Sequence, residues 1–329
     1  MTKIGVIGGG SYGTAIVKTL LDKDGDVFWW LRKQNTIDSI NLKGRNPKYL
    51  RAVDLKLKPE QLSTDIREIC RQSDIIFIAV PSVFLRETLL QLDDSDMEGK
   101  LIVSTTKGLI PHDHQLISDY IIKNFHLNAD QFIFLTGPAH AEEVVTKRKT
   151  YLTLASSSEE NALRAGSFLE TDYIAVRTST DVPGLEYAAV LKNIYAIAAG
   201  ISQSVGYGDN FLAVLMSNAI REMDMMLKQE CPADRNLMSS GYLGDLLVTA
   251  FSKFSRNRTF GSMIGHGYST KAALIEMNMI PEGHYAVKSF CKLMRESCVK
   301  LRIVSAVYKI LYNQEDPLKT LQALEEGFD

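Results

Sequence analysis

Residues 3–21, KIGVIGGGSYGTAIVKTLL, narrow the possible folds more than any other part of the chain. A short apolar run meets three consecutive glycines and then a stretch of helical period. Gly8, Gly10 and Gly13 stand at G-x-G-x-x-G spacing between a strand and a helix, the context in which that spacing has a mechanism. The first glycine permits a tight turn, the second lets backbone approach a pyrophosphate, and the third lets the helix pack closely on the strand. The helix start then offers N–H groups and the positive end of a dipole to an anion. Apolar runs recur at 26–32, 73–81, 101–108 and 131–138, with helical periods such as 65–71 and 114–125 between them. Short apolar strands alternating with helices make a parallel sheet covered on both faces. Two further runs, TYLTLAS and YIAVRTS, extend that sheet at its far edge. The fold class is therefore α/β: an N-terminal Rossmann domain with a doubly wound parallel sheet.

The pattern changes after Asp181-Val182-Pro183-Gly184. No strand pattern follows, and helical periods run at 185–202, 210–228, 246–254, 270–278 and 286–300. A length of 329 residues exceeds what one core usually serves. Two domains are expected: residues 1–183 for the dinucleotide and residues 184–329 as an all-helical substrate domain. No internal repeat or low-complexity stretch is visible.

The acid that usually ends the second strand and accepts a ribose 2′-OH is missing; Leu31-Arg32-Lys33 stands there. Two cations, Arg32 and Lys33, suit a 2′-phosphate, so the cofactor is NAD or NADP, with NADP use compatible. Both also read as plain solvated charges. Net charge is −2 and pI about 6.3, which argues against a general nucleic-acid binder while allowing a local basic pocket. Four cysteines, Cys70, Cys231, Cys291 and Cys298, show no CxxC or metal-type spacing, so neither a disulfide frame nor a metal site is expected. No apolar run is long enough to span a bilayer, and with strand-like sequence directly after Met1-Thr2-Lys3 no signal peptide is expected.

Polar groups in apolar surroundings mark the chemistry. Lys192 sits in AAVLKNIYAIAAG, with Ala188, Ala189, Tyr195, Ala196 and Ala199 as its helical neighbours. Lys107 ends a parallel strand, where ligands of such sheets bind. Gly137-Pro138 ends the next one and leads into a helix. Asp245 opens an apolar helical run, a place where an Asp is most often a helix N-cap. Ser255-Arg256-Asn257-Arg258 reads locally as a solvated turn, although hydroxyl, guanidinium and carboxamide side by side also suit a phosphate clamp. Glu282 follows a proline in NMIPEG.

Together GGGSYGTA, VPS, TKGL, GPxxAEEV, LKNIYAIAAG, GDN, GDLLVT, SRNRTFG and PEG follow the order seen in NAD(P)-dependent glycerol-3-phosphate dehydrogenases of the bacterial type, which nearly the whole chain resembles. The resemblance implies a cytoplasmic homodimer that makes sn-glycerol 3-phosphate from dihydroxyacetone phosphate for phospholipid synthesis, with no nucleic-acid partner and no membrane insertion. It places Lys192 on the catalytic position. Lys107, Gly137, Asp245, Ser255, Arg256 and Asn257 fall on substrate positions. Ser11, Tyr12, Arg32, Lys107, Ala141, Arg256, Ile280 and Glu282 fall on cofactor positions.

The chain departs from the family pattern at three places: Ala139-His140 where a hydroxyl and a Phe are usual, Asn218-Ala219 for Arg-Gly, and Gly241-Tyr242-Leu243-Gly244 ahead of Asp245. The first keeps a hydroxyacid or sugar-acid phosphate dehydrogenase in play. A catalytically silent nucleotide-binding regulator is the third reading, against which stand the retained lysine and SRN cluster. A lysine held among alanines loses solvent, so its pKa should fall toward the working range and suit it to general acid–base catalysis.

Overall fold

The computed structural model describes residues 2–111, 115–277, 279–295 and 300–328. His114, Asn278 and most of 296–300 belonged to expected helical runs, and they and Cys298 lie outside or at the edge of the described residues. The chain forms two compact units. The first comprises residues 1–106 and 117–182; the second comprises 107–116 and 183–329.

The first unit is one eight-stranded sheet with helices. Its strands are β1 (Lys3–Ile7), β2 (Asp26–Trp30), β3 (Leu62–Ser63), β4 (Ile75–Ile78), β5 (Leu101–Ser104), β6 (Phe132–Thr136), β7 (Thr150–Ala155) and β8 (Ile174–Ser179). They lie in the order β3-β2-β1-β4-β5-β6-β7-β8. β4, β5 and β6 are buried at every position, as strands covered on both faces must be. The helices are α1 (Ser11–Leu21), α2 (Gln34–Lys43), α3 (Ile66–Gln72), α4 (Ser82–Leu89), α5 (Asp94–Met97), α6 (Ile117–Asn124), α7 (Ala141–Val145) and α8 (Glu159–Ser167). Asp65 caps α3 by accepting the Arg67 N–H at 2.9 Å, and Ser158 caps α8 through the Asn161 N–H.

β1 pairs in parallel with β2 on one side and β4 on the other. The strand order reverses there, and ligands of doubly wound sheets bind beyond the strand ends at such a point. One pairing departs from the all-parallel expectation. β7 runs antiparallel to β6, with Leu135 opposite Leu154. Residues 137–149 join them and hold one short helix, the five-residue α7.

The second unit is helical: α9 (Val182–Ser204), α10 (Asp209–Glu230), α11 (Asp245–Phe251), α12 (Arg256–Gly265), α13 (Thr270–Glu276), α14 (Glu282–Arg295), α15 (Arg302–Tyr312) and α16 (Pro317–Glu325). α9 is buried almost all round, which makes it the axis of the unit. Backbone meets backbone along its seam with α12. A Cβ on Gly200 would overlap the Arg258 carbonyl oxygen, and one on Gly261 would overlap that of Ile197. Glu222 of α10 is buried and accepts the N–H groups of Ile303 (2.8 Å) and Val304 (3.2 Å) at the start of α15. Burial pushes its carboxyl up to about 7 despite those bonds.

Residues 107–116, assigned from the sequence to the first domain, pack in the second unit. No helix among the described residues is long and apolar enough to cross a membrane.

Candidate active site

In the first unit the glycine turn follows β1 directly. Gly8 has φ +122°, a conformation that L side chains rarely adopt. A Cβ on Gly13 would overlap the Gly8 carbonyl oxygen, so α1 leaves the turn without clearance for a larger residue. The turn's carbonyls are engaged by protein: Trp29 Nε1 donates to Gly8 O at 2.9 Å, and Thr14 donates both N–H and Oγ1–H to Gly10 O, each at 2.9 Å. Gly10 occupies the N-cap position of α1, with no side-chain cap and no acid in the first turn. A Cβ on Gly10 would meet nothing within 4 Å. An uncapped helix start beside open space, with inward carbonyls, fits a pyrophosphate. Ser11 is buried and Tyr12 half-buried at that start.

Arg32 and Lys33 follow β2 and are both exposed, with the Arg32 guanidinium 5.6 Å from the centre of the Phe84 ring. Gly137 follows β6 with φ +113°, and a Cβ there would come within 2.5 Å of Tyr151 O. His140 takes the N-cap position of α7, and Ala141 is its buried first residue.

The second unit contains the lysine centre. Lys192 of α9 is only 4% exposed, and Asp245, which ion-pairs with its Nζ, is 2% exposed. Burial lowers the Lys192 pKa to about 7; the Asp245 charge opposes that fall, and the charge of half-buried Lys107 adds to it. Asp245 is therefore the lysine's counter-ion. The N-cap role expected on local grounds falls to Gly244, because a π-helical turn, Ser240–Gly244, runs straight into α11.

A run of amides adjoins the lysine. Gly283 N–H donates to Asn257 Oδ1 (2.9 Å), Asn257 Nδ2 to Asn193 Oδ1 (2.9 Å), and Asn193 Nδ2 to Lys107 O (3.5 Å). Asn257 is thus engaged at both ends of its amide, with one Nδ2–H left over. The SRNR segment is a helix start, which the local reading as a solvated turn did not foresee. Ser255 caps α12 by accepting the Arg258 N–H at 3.3 Å, and half-buried Arg256 is the first helical residue. Arg258 turns away to Gln203 Oε1 at 2.5 Å. Ile280 and Glu282 are half-buried, and Glu282 opens α14.

Sequence reasoning missed Asn193, Thr14 and Trp29. A second polar residue directly after Lys192 in an apolar helix was the available signal for Asn193; nothing local marks the other two. Of the departures from the family pattern, Asn218 bonds back to Val214 O at 3.0 Å and Ala219 is fully buried. Among the described residues no three His, Cys, Asp or Glu side chains gather as a metal site, and Cys70, Cys231 and Cys291 form no disulfide.

A pyrophosphate-ready glycine turn at the switch point of a doubly wound sheet, carried on the same chain as a buried lysine of near-neutral pKa, defines a nicotinamide-dependent dehydrogenase. Comparison with known proteins narrows the class. Residues 3–162 match the family model of the NAD-dependent glycerol-3-phosphate dehydrogenase N-terminus, and residues 181–322 match that of its C-terminus. The chain belongs to the NAD-dependent glycerol-3-phosphate dehydrogenase family.

It is 34% identical over 313 residues to glycerol-3-phosphate dehydrogenase [NAD(P)+] of Staphylococcus aureus (strain JH9), covering 95% of this chain and 94% of that one. Against the enzyme of the same name from Clostridium botulinum (strain Eklund 17B / Type B) it is 32% identical over 324 residues, covering 98% and 97%. The crystal structure of glycerol-3-phosphate dehydrogenase from Coxiella burnetii superposes with a TM-score of 0.92 at 27% identity, over 99% of each chain.

Proposed function

We propose that the chain catalyses reversible reduction of dihydroxyacetone phosphate to sn-glycerol 3-phosphate with NAD or NADP, and that Lys192 is its general acid and base. The observation that carries this reading is the buried Lys192–Asp245 pair, in which burial brings the ammonium down to about 7. A bound reduced nicotinamide supplies the hydride. Reduction of the ketone leaves an alkoxide that needs a proton and a positive neighbour, and Lys192 Nζ provides both. Asp245 fixes the direction of the ammonium, and Lys107 adds a second positive charge beside it. Oxidation reverses the proton transfer.

The phosphate is held at the start of α12. Ser255 caps that helix, no acid lies in its first turn, and Arg256 offers two parallel N–H donors. The spare Nδ2–H of Asn257 completes the set, and Gly137 offers main chain in place of the hydroxyl lost at Ala139. Holding the phosphate fixes the carbonyl carbon for reaction. Gly8, Gly10, Ser11, Tyr12 and Gly13 bind the dinucleotide together with Arg32, Lys33 and Ala141, and Lys107, Arg256, Ile280 and Glu282 complete its contacts.

The protein would work in the cytoplasm as a homodimer, supplying glycerol 3-phosphate for glycerophospholipids. The test follows absorbance of the reduced nicotinamide with dihydroxyacetone phosphate and each cofactor in turn, beside a panel of 2-keto and 3-keto acids. Turnover confined to the acids would overturn the substrate assignment. Sedimentation velocity that shows only monomer at assay concentration would overturn the dimer.

A further inference from the structure

Asn46 is 1% exposed, and its amide makes four hydrogen bonds. Nδ2 donates to Gly9 O (3.1 Å) and to Thr14 Oγ1 (2.9 Å). Oδ1 accepts the N–H groups of Lys48 (3.0 Å) and Tyr49 (3.1 Å). Two donors and two acceptor sites are the whole capacity of an asparagine side chain, so the residue is saturated. Its own segment is a closed loop. Leu55 N–H donates to Gly44 O at 2.7 Å, and Arg45 pairs with Asp54 at 2.7 Å across the same neck.

The bonds to the glycine turn complete a pattern. Trp29 holds the Gly8 carbonyl, Asn46 the Gly9 carbonyl, and Thr14 that of Gly10. Thr14 Oγ1 gives its one proton to Gly10 O, so it must receive from Asn46, which fixes the sense of the relay. In a trans peptide C=O and N–H point to opposite sides. Drawing the Gly9 carbonyl to Asn46 therefore turns the Gly10 N–H the other way. Three carbonyls held inward leave the turn with its partial positive charge outward, as an anion nest requires.

We propose that Asn46 is a positioning residue for the dinucleotide: it orients the Gly9 and Gly10 carbonyls and ties the turn to the 44–55 loop, so that pyrophosphate binding depends on its side-chain amide. This rests on the reading of the glycine turn as the cofactor site.

The test measures dissociation constants of NADH, NADPH and ADP-ribose by fluorescence titration, beside kcat and the KM for dihydroxyacetone phosphate at saturating cofactor. Asn46→Ala removes all four bonds. Asn46→Asp keeps the acceptors for Lys48 and Tyr49, hence the loop, and loses both donors. Thr14→Val removes the relay hydroxyl without adding charge. Each variant should bind ADP-ribose and both cofactors at least tenfold more weakly, while KM for the ketone stays within threefold. The Asn46→Ala, Thr14→Val double variant should lose less than the product of the single losses, since the two side chains act as one unit. If Asn46→Asp and Thr14→Val bind ADP-ribose within twofold of wild type, the positioning role is wrong. If the wild-type chain itself binds neither NADH nor NADPH, the cofactor reading fails instead.

Discussion

At the scale of single residues, Lys192 sets the pH behaviour. Burial is the largest influence on its ammonium and moves it down to about 7. Reduction needs the protonated form, so kcat/KM for dihydroxyacetone phosphate should fall as pH rises through about 7, and glycerol 3-phosphate oxidation should rise through the same range. Asp245 opposes the shift. Asp245→Asn removes that opposition and leaves burial and Lys107, so the midpoint should move to lower pH; an upward move would contradict the pair's assignment. Lys192→Ala should lower kcat by about 10²–10⁴-fold, and a loss under tenfold would remove Lys192 from proton transfer.

Arg32 and Lys33 carry a second prediction. Both are exposed after β2 with no acid between β2 and α2, so alanine at both should cut the ratio of NADPH to NADH efficiency at least tenfold, and an unchanged ratio would assign them to solvent. Lys192 was legible because a charge in an apolar run is costly and calls for a reason, and Lys107 because it ends a parallel strand, where ligands bind. Asn193 was not, because its partner Asn257 lies 64 residues away. Nor was Asn46, because the Gly9 carbonyl that it holds lies 37 residues away.

Among the elements, α9 and α12 depend on each other through absent side chains. Gly200 and Gly261 bring two helix backbones into contact, and a Cβ on Gly265 would sit 2.7 Å from Ser204 Cβ. Gly261→Ala forces the seam apart and should lower unfolding free energy by about 1–3 kcal/mol, read from urea denaturation; a change under about 0.5 kcal/mol would show the seam to be slack. Lys192 and Arg256 lie on these two helices, so the same substitution should also raise the KM for dihydroxyacetone phosphate. α9, α10 and α11 were legible from apolar period. α12 was not, because two glycines and a four-residue polar start resemble a loop when read locally. Its capping serine and its glycines have meaning only once α9 is beside it.

For the molecule as a whole, the alternation of strand and helix announced the doubly wound sheet, and the loss of strands after residue 183 announced the helical unit. The direction of β7 was not announced, since antiparallel and parallel strands share one hydrophobic pattern when both faces are covered. Nor was the allegiance of residues 107–116, which is decided by packing against residues distant in sequence. A fragment of residues 1–182 should keep all eight strands and bind ADP-ribose, while residues 107–116 become the first site of cleavage in limited proteolysis. Equal protection of that segment in fragment and full chain would contradict its assignment to the second unit.

That excursion also bears on how such enzymes can be recombined. Lys107 travels in the gene with the nucleotide-binding half and is used by the helical one. A chimera joined at 182/183 would therefore take Lys107 from one parent and Lys192 with Asp245 from the other. Crossovers that keep activity should be those in which residues 107–116 come from the parent that supplies α9, so the heritable module here is two separate stretches of sequence.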